Sequence, residues 1–363
     1  MSQGGRRSRV FIGVLSLGLL GMLAPGCKRS QVSLGRAHSS AEPAAPSGDA
    51  GVPPPPREPE PEPEPEPEMR SLDAGAPPPD GGKPSAPLDA GGAQAPAAPD
   101  AAIGGEPPAL EPTFLPTPSG ACPELTSGEV RLLNIPMTFW VGRQRTTPGP
   151  LLIYWHGVGS STREASNLLG TVMDQILDQG GMVVALAQTT AQGTDMGTGT
   201  WYTGDFDVVD ELVACAVASG RIDRRRIYTG GCSAGGLAAG TMLYMRSGYL
   251  AGAQLDSGGT ILDMPLQDPA HVPVLIAAHG AAETDVVILS YAETSSDLAT
   301  RVAADGGFAV LCDHGGGHCA APPRIREAQW QLLLAHPYGT HPSPFAAGLP
   351  GGFPTECRVA RAP

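Results

Sequence analysis

Residues 226–240 read Arg226-Ile227-Tyr228-Thr229-Gly230-Gly231-Cys232-Ser233-Ala234-Gly235-Gly236-Leu237-Ala238-Ala239-Gly240. A short apolar run gives way to glycines, a cysteine and a serine, and an Ala/Gly-rich stretch follows. That order is strand, sharp turn, helix. Gly231 to Gly235 fits the pattern G-x-S-x-G, in which the serine stands on a strained strand-to-helix turn. Its neighbours are small because a side chain there would collide with the adjoining elements. The helix N-terminus also brings backbone N–H groups and a positive dipole end close to the serine oxygen. Ser233 is therefore the candidate nucleophile.

Outward from this turn, short apolar runs at 151–155, 182–187, 274–278 and 308–312 join 226–229 as expected strands. Continuous apolar runs suit a parallel sheet covered on both faces. Helical spacing is expected over 162–179 with Thr162 as N-cap, over 205–219, after Ser233 with an apolar face from Leu237 to Met245, and over 290–305 and 323–335. The alternation predicts an α/β chain. Its sheet should be doubly wound and mostly parallel, with helices on both faces and ligands outside the carboxyl ends of the strands. The short interval between Asp256 and Pro273 leaves no room for a large lid, and an open cleft suits bulky or polymeric substrates.

A nucleophilic serine needs a base, and the base an orienting acid, in the chain order serine, acid, histidine. His318 follows the last expected strand through a Gly-rich loop and is the leading base; His314 is the other candidate. The preceding strand runs into His279-Gly280-Ala281-Ala282-Glu283-Thr284-Asp285, which offers Asp285 as the acid and Glu283 as the alternative. The loop His156-Gly157-Val158-Gly159 lies where a second oxyanion donor belongs, so the backbone N–H groups of Val158 and Ala234 are assigned that role. His156 itself reads as a structural histidine. Trp201 and Tyr202, in loop 189–204, are placed to form a substrate lip, with packing of Trp201 on the domain edge as the alternative. Asp313, His314 and His318 with Cys312 and Cys319 do not follow a usual zinc spacing, and neither metal nor cofactor is expected.

Over residues 150–335 the sequence resembles the polyhydroxybutyrate depolymerase and feruloyl esterase group of α/β-hydrolases. The similar features are the His-Gly loop at 156–157 and the acidic helix with Asp205, Asp207 and Asp210. Ile222-Asp223, Arg226-Ile227-Tyr228, the Gly-x-Ser-Ala-Gly-Gly turn and the closing Gly-Gly-Gly-His at 315–318 complete the set. The resemblance implies an α/β-hydrolase fold and hydrolysis of carboxylic esters. Its usual His-Gly-x-x-Asp would place the acid at Glu283, where this sequence departs from it. Two other readings compete. One is a serine peptidase of the prolyl-oligopeptidase type, against which stands the lack of a gating domain. The other is a non-catalytic surface-binding protein on the same fold, against which stands the intact order of serine, acid and histidine.

Setting Cys27 aside, six cysteines remain. Cys232 precedes Ser233 and Cys319 follows His318, so a serine and histidine that meet would bring these two within bonding range. Such a bond resembles the Cys-Ser…His-Cys arrangement of tannases and fungal feruloyl esterases. A local Cys312–Cys319 bridge is the alternative. Cys122 with Cys357 would tie the two ends of the domain, leaving Cys215 and Cys312.

Residues 1–27 read as an export signal: Arg6, Arg7 and Arg9, an apolar stretch, then Ala24-Pro25-Gly26-Cys27. Cys27 is the lipidation candidate, although Pro25 is unusual in a lipobox, and simple secretion is the alternative. Residues 28–118, rich in Pro, Glu and Ala, predict a disordered or extended linker that cannot bury a core. The catalytic domain is expected over 119–363, acting as a monomer. The net charge of −13 divides into +6 over residues 1–40, −11 over 41–112 and −8 beyond. The acidity thus belongs largely to the linker, and nothing basic enough for a nucleic-acid partner follows it.

Overall fold

The computed structural model describes residues 110–190 and 200–363, so the expected signal segment with Cys27 and most of the expected linker lie outside the described residues. Two antiparallel strands, β1 (Gly128–Leu132) and β2 (Ile135–Val141), open the sheet. There follow β3 (Gly149–Trp155), β4 (Met182–Leu186), β5 (Ile222–Cys232), β6 (Gly252–Asp256), β7 (Val274–His279), β8 (Ala309–Asp313) and β9 (Cys357–Val359). They form one sheet in the order β1-β2-β4-β3-β5-β6-β7-β8-β9. From β4 to β8 every pairing is parallel, and the antiparallel pairs stand at the two edges.

The alternation of side chains along each strand explains why the central runs are apolar throughout. In β3, Leu151, Ile153 and Trp155 enter one core, while Leu152 and Tyr154 enter the other. The first core is closed by α3 (Asp205–Ala218), α4 (Ala234–Met245) and α5 (Tyr291–Ala304), with Phe206, Leu212, Leu243 and Leu298 buried in it. The second is closed by α1 (Arg163–Leu169), α2 (Thr171–Asp178) and α6 (Pro323–Leu334), with Val172, Ile325 and Trp330 buried. Each such side chain contributes about 1.5–3 kcal/mol on burial. The expected sheet with helices on both faces is thus present.

Several boundaries differ. The helix expected over 162–179 is two helices, broken at Gly170 (φ 52°), and Thr162 bonds through its hydroxyl to Thr138 instead of capping. Strand β5 begins four residues before the apolar run, because Ile222 already pairs with Gly149 ahead of a register shift. Strand β6 reads Gly-Ala-Gln-Leu-Asp, too mixed to stand out, yet it is central and buried. The interval 257–273 contains no helix or strand.

The linker boundary also moves. Residues 110–118, expected in the linker, are bound to the domain: Thr113 donates to the Asp268 carboxylate and the Phe114 N–H to the Gly248 carbonyl (3.2 Å). Leu115 packs against the first core. Apolar side chains in an otherwise Pro-rich stretch account for this. The cysteines correct a second expectation. Cys122 is joined to Cys215, and Cys312 to Cys357. Cys357 stands directly opposite Cys312 in the β8–β9 pair, so β9 takes it away from Cys122, whose segment instead meets α3.

The Cys122–Cys215 bond spans a sequence separation of 93 residues and fastens the N-terminal segment to α3. Replacing both cysteines by serine should lower unfolding free energy by about 2–4 kcal/mol. Urea titration followed by tryptophan fluorescence reads this, and an unchanged midpoint would show that the bond adds no constraint.

Candidate active site

Ser233 stands between the end of β5 and the start of α4 at φ 59°, a conformation unusual for any residue but glycine. Its surroundings hold it there. The Ser233 N–H donates to the carbonyls of Asp256 (3.2 Å) and Ser257 (3.1 Å) at the end of β6. Its own carbonyl accepts from Leu237 N–H (2.9 Å) in the first turn of α4. A Cβ on Gly235 would lie 1.9 Å from the Trp155 carbonyl oxygen, so only glycine lets the helix start this close to β3. The His-Gly loop reaches the same point: a Cβ on Gly157 would lie 3.3 Å from Ser233 Cβ. Val158 follows it in an exposed turn, and Ala234 is the first residue of α4.

His318 comes from the Gly-rich loop after β8, and its Nδ1 lies 2.7 Å from Asp285 Oδ1. Asp285 is fully buried, and its Oδ2 accepts from the Ser257 hydroxyl (2.8 Å) and the Gly280 N–H (2.8 Å). Burial works against its charge, but the hydrogen bonds from His318, Gly280 and Ser257 prevail and hold the carboxyl below its ordinary range. The carboxylate therefore stays ionised, and the folding stability it supplies is lost only as pH falls through that depressed value. An ionised carboxylate can only accept, so Nδ1 of His318 is the donor in this bond.

Glu283 is exposed, and among the described residues it is Asp285 that bonds to His318. The reason is local. The N–H groups of Thr284 (3.0 Å) and Asp285 (2.9 Å) both donate to the Ala281 carbonyl, a tight turn that carries Glu283 outward and folds Asp285 back under the sheet ends. The turn rests on the histidine loop, where the Ala281 N–H donates to Gly316 O (3.0 Å). A Cβ on Gly280 would lie 2.2 Å from that same oxygen.

Two residues at the centre were not anticipated from sequence. Ser257 (φ 48°) accepts the Cys319 N–H on its hydroxyl (2.8 Å) while donating to Asp285, so it links Asp285, the histidine loop and the backbone under Ser233. Tyr291, at the start of α5, places its hydroxyl 3.2 Å from Ser233 Oγ and its ring centroid 4.6 Å from that of His318. Burial pushes the Tyr291 phenol up. Among the described residues Ser233 Oγ bonds to Tyr291, and no hydrogen bond joins it to His318. Neither residue belongs to a motif; each is identified only by what the fold puts beside it.

The Cys232–Cys319 disulfide is present, with Cα atoms 5.8 Å apart, and joins the turn of Ser233 to the loop of His318. His314 is buried, its Nδ1 accepting from Gly316 N–H (3.2 Å), and burial lowers its proton affinity. Cys312 and Cys319 lie in separate disulfides and His318 is bound to Asp285, so the five residues weighed for a metal do not form a ligand set. His156 is buried, with Nδ1 at 2.9 Å from Gly157 O. Trp201 is no lip. It is 1% exposed, stacks edge-on against Trp155 and His156, and donates through Nε1 to His156 O (2.9 Å). Part of the loop expected as a lip, 191–199, lies outside the described residues.

No family profile and no curated protein matches the sequence. Solved structures do. Native pOPH superposes with a TM-score of 0.53 at 17% identity, over 69% of this chain and 98% of its own. Native sOPH superposes at 0.51 and 17%, over 68% and 97%. At such identity the likeness shows the fold, which is that of the α/β-hydrolases.

The Asp285–His318 bond can be read without any substrate. Proton NMR should show a strongly downfield imidazole N–H that vanishes in Asp285→Asn and persists in Glu283→Gln. Loss of the signal in Glu283→Gln would reverse the assignment. Asp285→Asn should also cost about 1–3 kcal/mol of stability, because it disrupts hydrogen bonds to a buried charged group.

Proposed function

We propose that the chain is an exported serine carboxylic ester hydrolase. The observation that carries this reading is the pairing of His318 with a buried, ionised Asp285 at the same sheet ends as a strained Ser233. In this reaction Ser233 Oγ attacks the ester carbonyl and its proton passes to His318 Nε2. Asp285 orients the imidazole and offsets the charge it gains. The N–H groups of Val158 and Ala234 receive the oxyanion, a role the N–H of Ser233 cannot share because it is already bonded to Asp256 and Ser257. Water then attacks the acyl-enzyme, with His318 again as the base. Substrate binding must bring Ser233 Oγ within hydrogen-bond reach of His318 Nε2, the tightening that catalytic contacts undergo on forming the complex.

The substrates proposed are bulky or polymeric esters, such as polyhydroxyalkanoates or acylated polysaccharides. The uninterrupted β6–β7 interval supports an open cleft. Exposed Val286, Val287 and Ile288, directly after the acid, and exposed Val158 on the oxyanion loop support an apolar surface around it. Three disulfides suit an oxidising compartment, in keeping with export and with a lipid anchor at Cys27.

A fluorophosphonate probe should label the wild-type chain and not Ser233→Ala, and the same substitution should reduce p-nitrophenyl ester turnover at least about 10³-fold. Cleavage of peptide anilides in preference to esters would point to a peptidase. A folded wild type that resists the probe would point to a binding protein.

A further inference from the structure

We propose that Tyr291 is a catalytic residue whose phenolic O–H donates a hydrogen bond to Ser233 Oγ as that oxygen leaves the acyl carbon in deacylation. The proposal rests on reading Ser233 as the nucleophile. Tyr291 touches every member of the triad. Its N–H donates to the Asp285 carbonyl (3.1 Å), its ring lies tilted 44° against His318, and its hydroxyl is 3.2 Å from Ser233 Oγ. The side chain is buried and is held by the start of α5, where Ser290 caps the helix by accepting from Glu293 N–H. The hydroxyl therefore meets the nucleophile from a fixed position.

The direction of the hydrogen bond follows from counting protons. Asp285 is ionised and takes the Nδ1 proton of His318, so Nε2 is the acceptor for the proton of Ser233. Once that proton points to Nε2, only lone pairs of Oγ remain for Tyr291, and Tyr291 must donate. Its raised pKa keeps it protonated, and so able to donate, throughout the range in which His318 works as a base.

A donor on Oγ does not serve the two half-reactions equally. In acylation Oγ is the attacking atom, and a hydrogen bond to it withdraws the electron density that attacks. In deacylation water has added its hydroxyl to the acyl carbon and its other proton sits on His318 Nε2. The C–Oγ bond then breaks, its electron pair goes to Oγ, and the Nε2 proton follows, releasing the carboxylic acid and regenerating the serine. In acylation the resting hydroxyl already accepts this bond, whereas in deacylation Oγ starts as a weakly accepting ester oxygen and gains its charge as the C–Oγ bond breaks, so Tyr291 favours the second step more. The oxyanion donors Val158 and Ala234 serve a different oxygen, so the two contributions are separable.

Stopped-flow hydrolysis of p-nitrophenyl butyrate by the full chain tests this with Tyr291→Phe, which keeps the ring against His318. The expected result is a burst approaching about one p-nitrophenol per site. Its rate should be unchanged or faster, and the steady-state rate about 3–10-fold slower, the worth of one hydrogen bond. Mass spectrometry of the quenched variant should find the butyryl group on the Ser233 peptide. Equal slowing of burst and steady state, or no change in either, would overturn the proposal. Site-specific 3-fluorotyrosine at position 291 is the second variant: a more acidic phenol should leave deacylation at least as fast as wild type, and a Phe-like loss would overturn the role. A wild type that neither turns over nor labels refutes the nucleophile reading itself, and this role falls with it. Wild-type turnover with normal deacylation in Tyr291→Phe refutes Tyr291 alone.

Discussion

Everything at the site depends on a backbone that a serine does not adopt unaided. At φ 59° Ser233 stores strain of order 1–3 kcal/mol, and such strain persists only where the surroundings over-determine it. Here the N–H of Ser233 is tied to two consecutive carbonyls at the end of β6, and its carbonyl is the first acceptor of α4. Glycines let Trp155 and the helix approach to within a distance that any side chain would forbid. Ser233 is therefore positioned by the buried ends of β3, β5 and β6 and by α4 together, and not by its own loop.

The same economy appears in Ser257. Its backbone receives Ser233, its N–H donates to Ala278 at the end of β7, and its hydroxyl joins Cys319 to Asp285. The Cys232–Cys319 bond closes the circuit covalently, since it links the residue before Ser233 to the residue after His318. Two loops distant in sequence are thereby held by one small hydrogen-bonded knot and one disulfide. Glycine-rich segments such as 315–317 gain from this, because their own backbone preferences do little to fix a geometry.

What was legible in the sequence divides along physical lines. The turn at Ser233 and the central strands were readable because strand–turn–helix chemistry and continuous apolar runs are local signals. His318 stood out because it follows a strand end through a Gly-rich loop, and the structure bonds it to Asp285. The edge strands β1, β2 and β9 and the mixed strand β6 were not, since their stability comes from pairing partners outside the window. Which of Asp285 and Glu283 meets His318 depended on a single tight turn at Ala281, which brings in the carboxylate two positions beyond the His-Gly-x-x-Asp spacing. The pairing of Cys122, Cys215, Cys312 and Cys357 depended on which strand lies opposite β8, a fact of topology that no spacing contains. The lip and packed readings of Trp201 stayed open because an aromatic in a Gly/Thr-rich loop has no local signal of burial, which comes from Trp155 and His156 enclosing it.

Asp256 and Asp285 show how far environment outranks identity. Both are buried carboxylates at adjacent strand ends, and in both burial opposes the charge. Asp285 is met by two N–H or O–H donors on one oxygen and an imidazole on the other, and stays charged. Asp256 faces Arg326 at 3.8 Å and His314 at 3.9 Å, too far for direct hydrogen bonds, and is pushed up to about 6. A carboxylate that protonates near neutrality cannot reliably hold an imidazole in one orientation. Asp285, which does not, can. Asp256 therefore serves through its backbone, holding Ser233, while its neighbour Ser257 adds its hydrogen bond to those of His318 and Gly280 that keep Asp285 ionised. The two carboxylates have divided the work by the number of donors each strand end supplies.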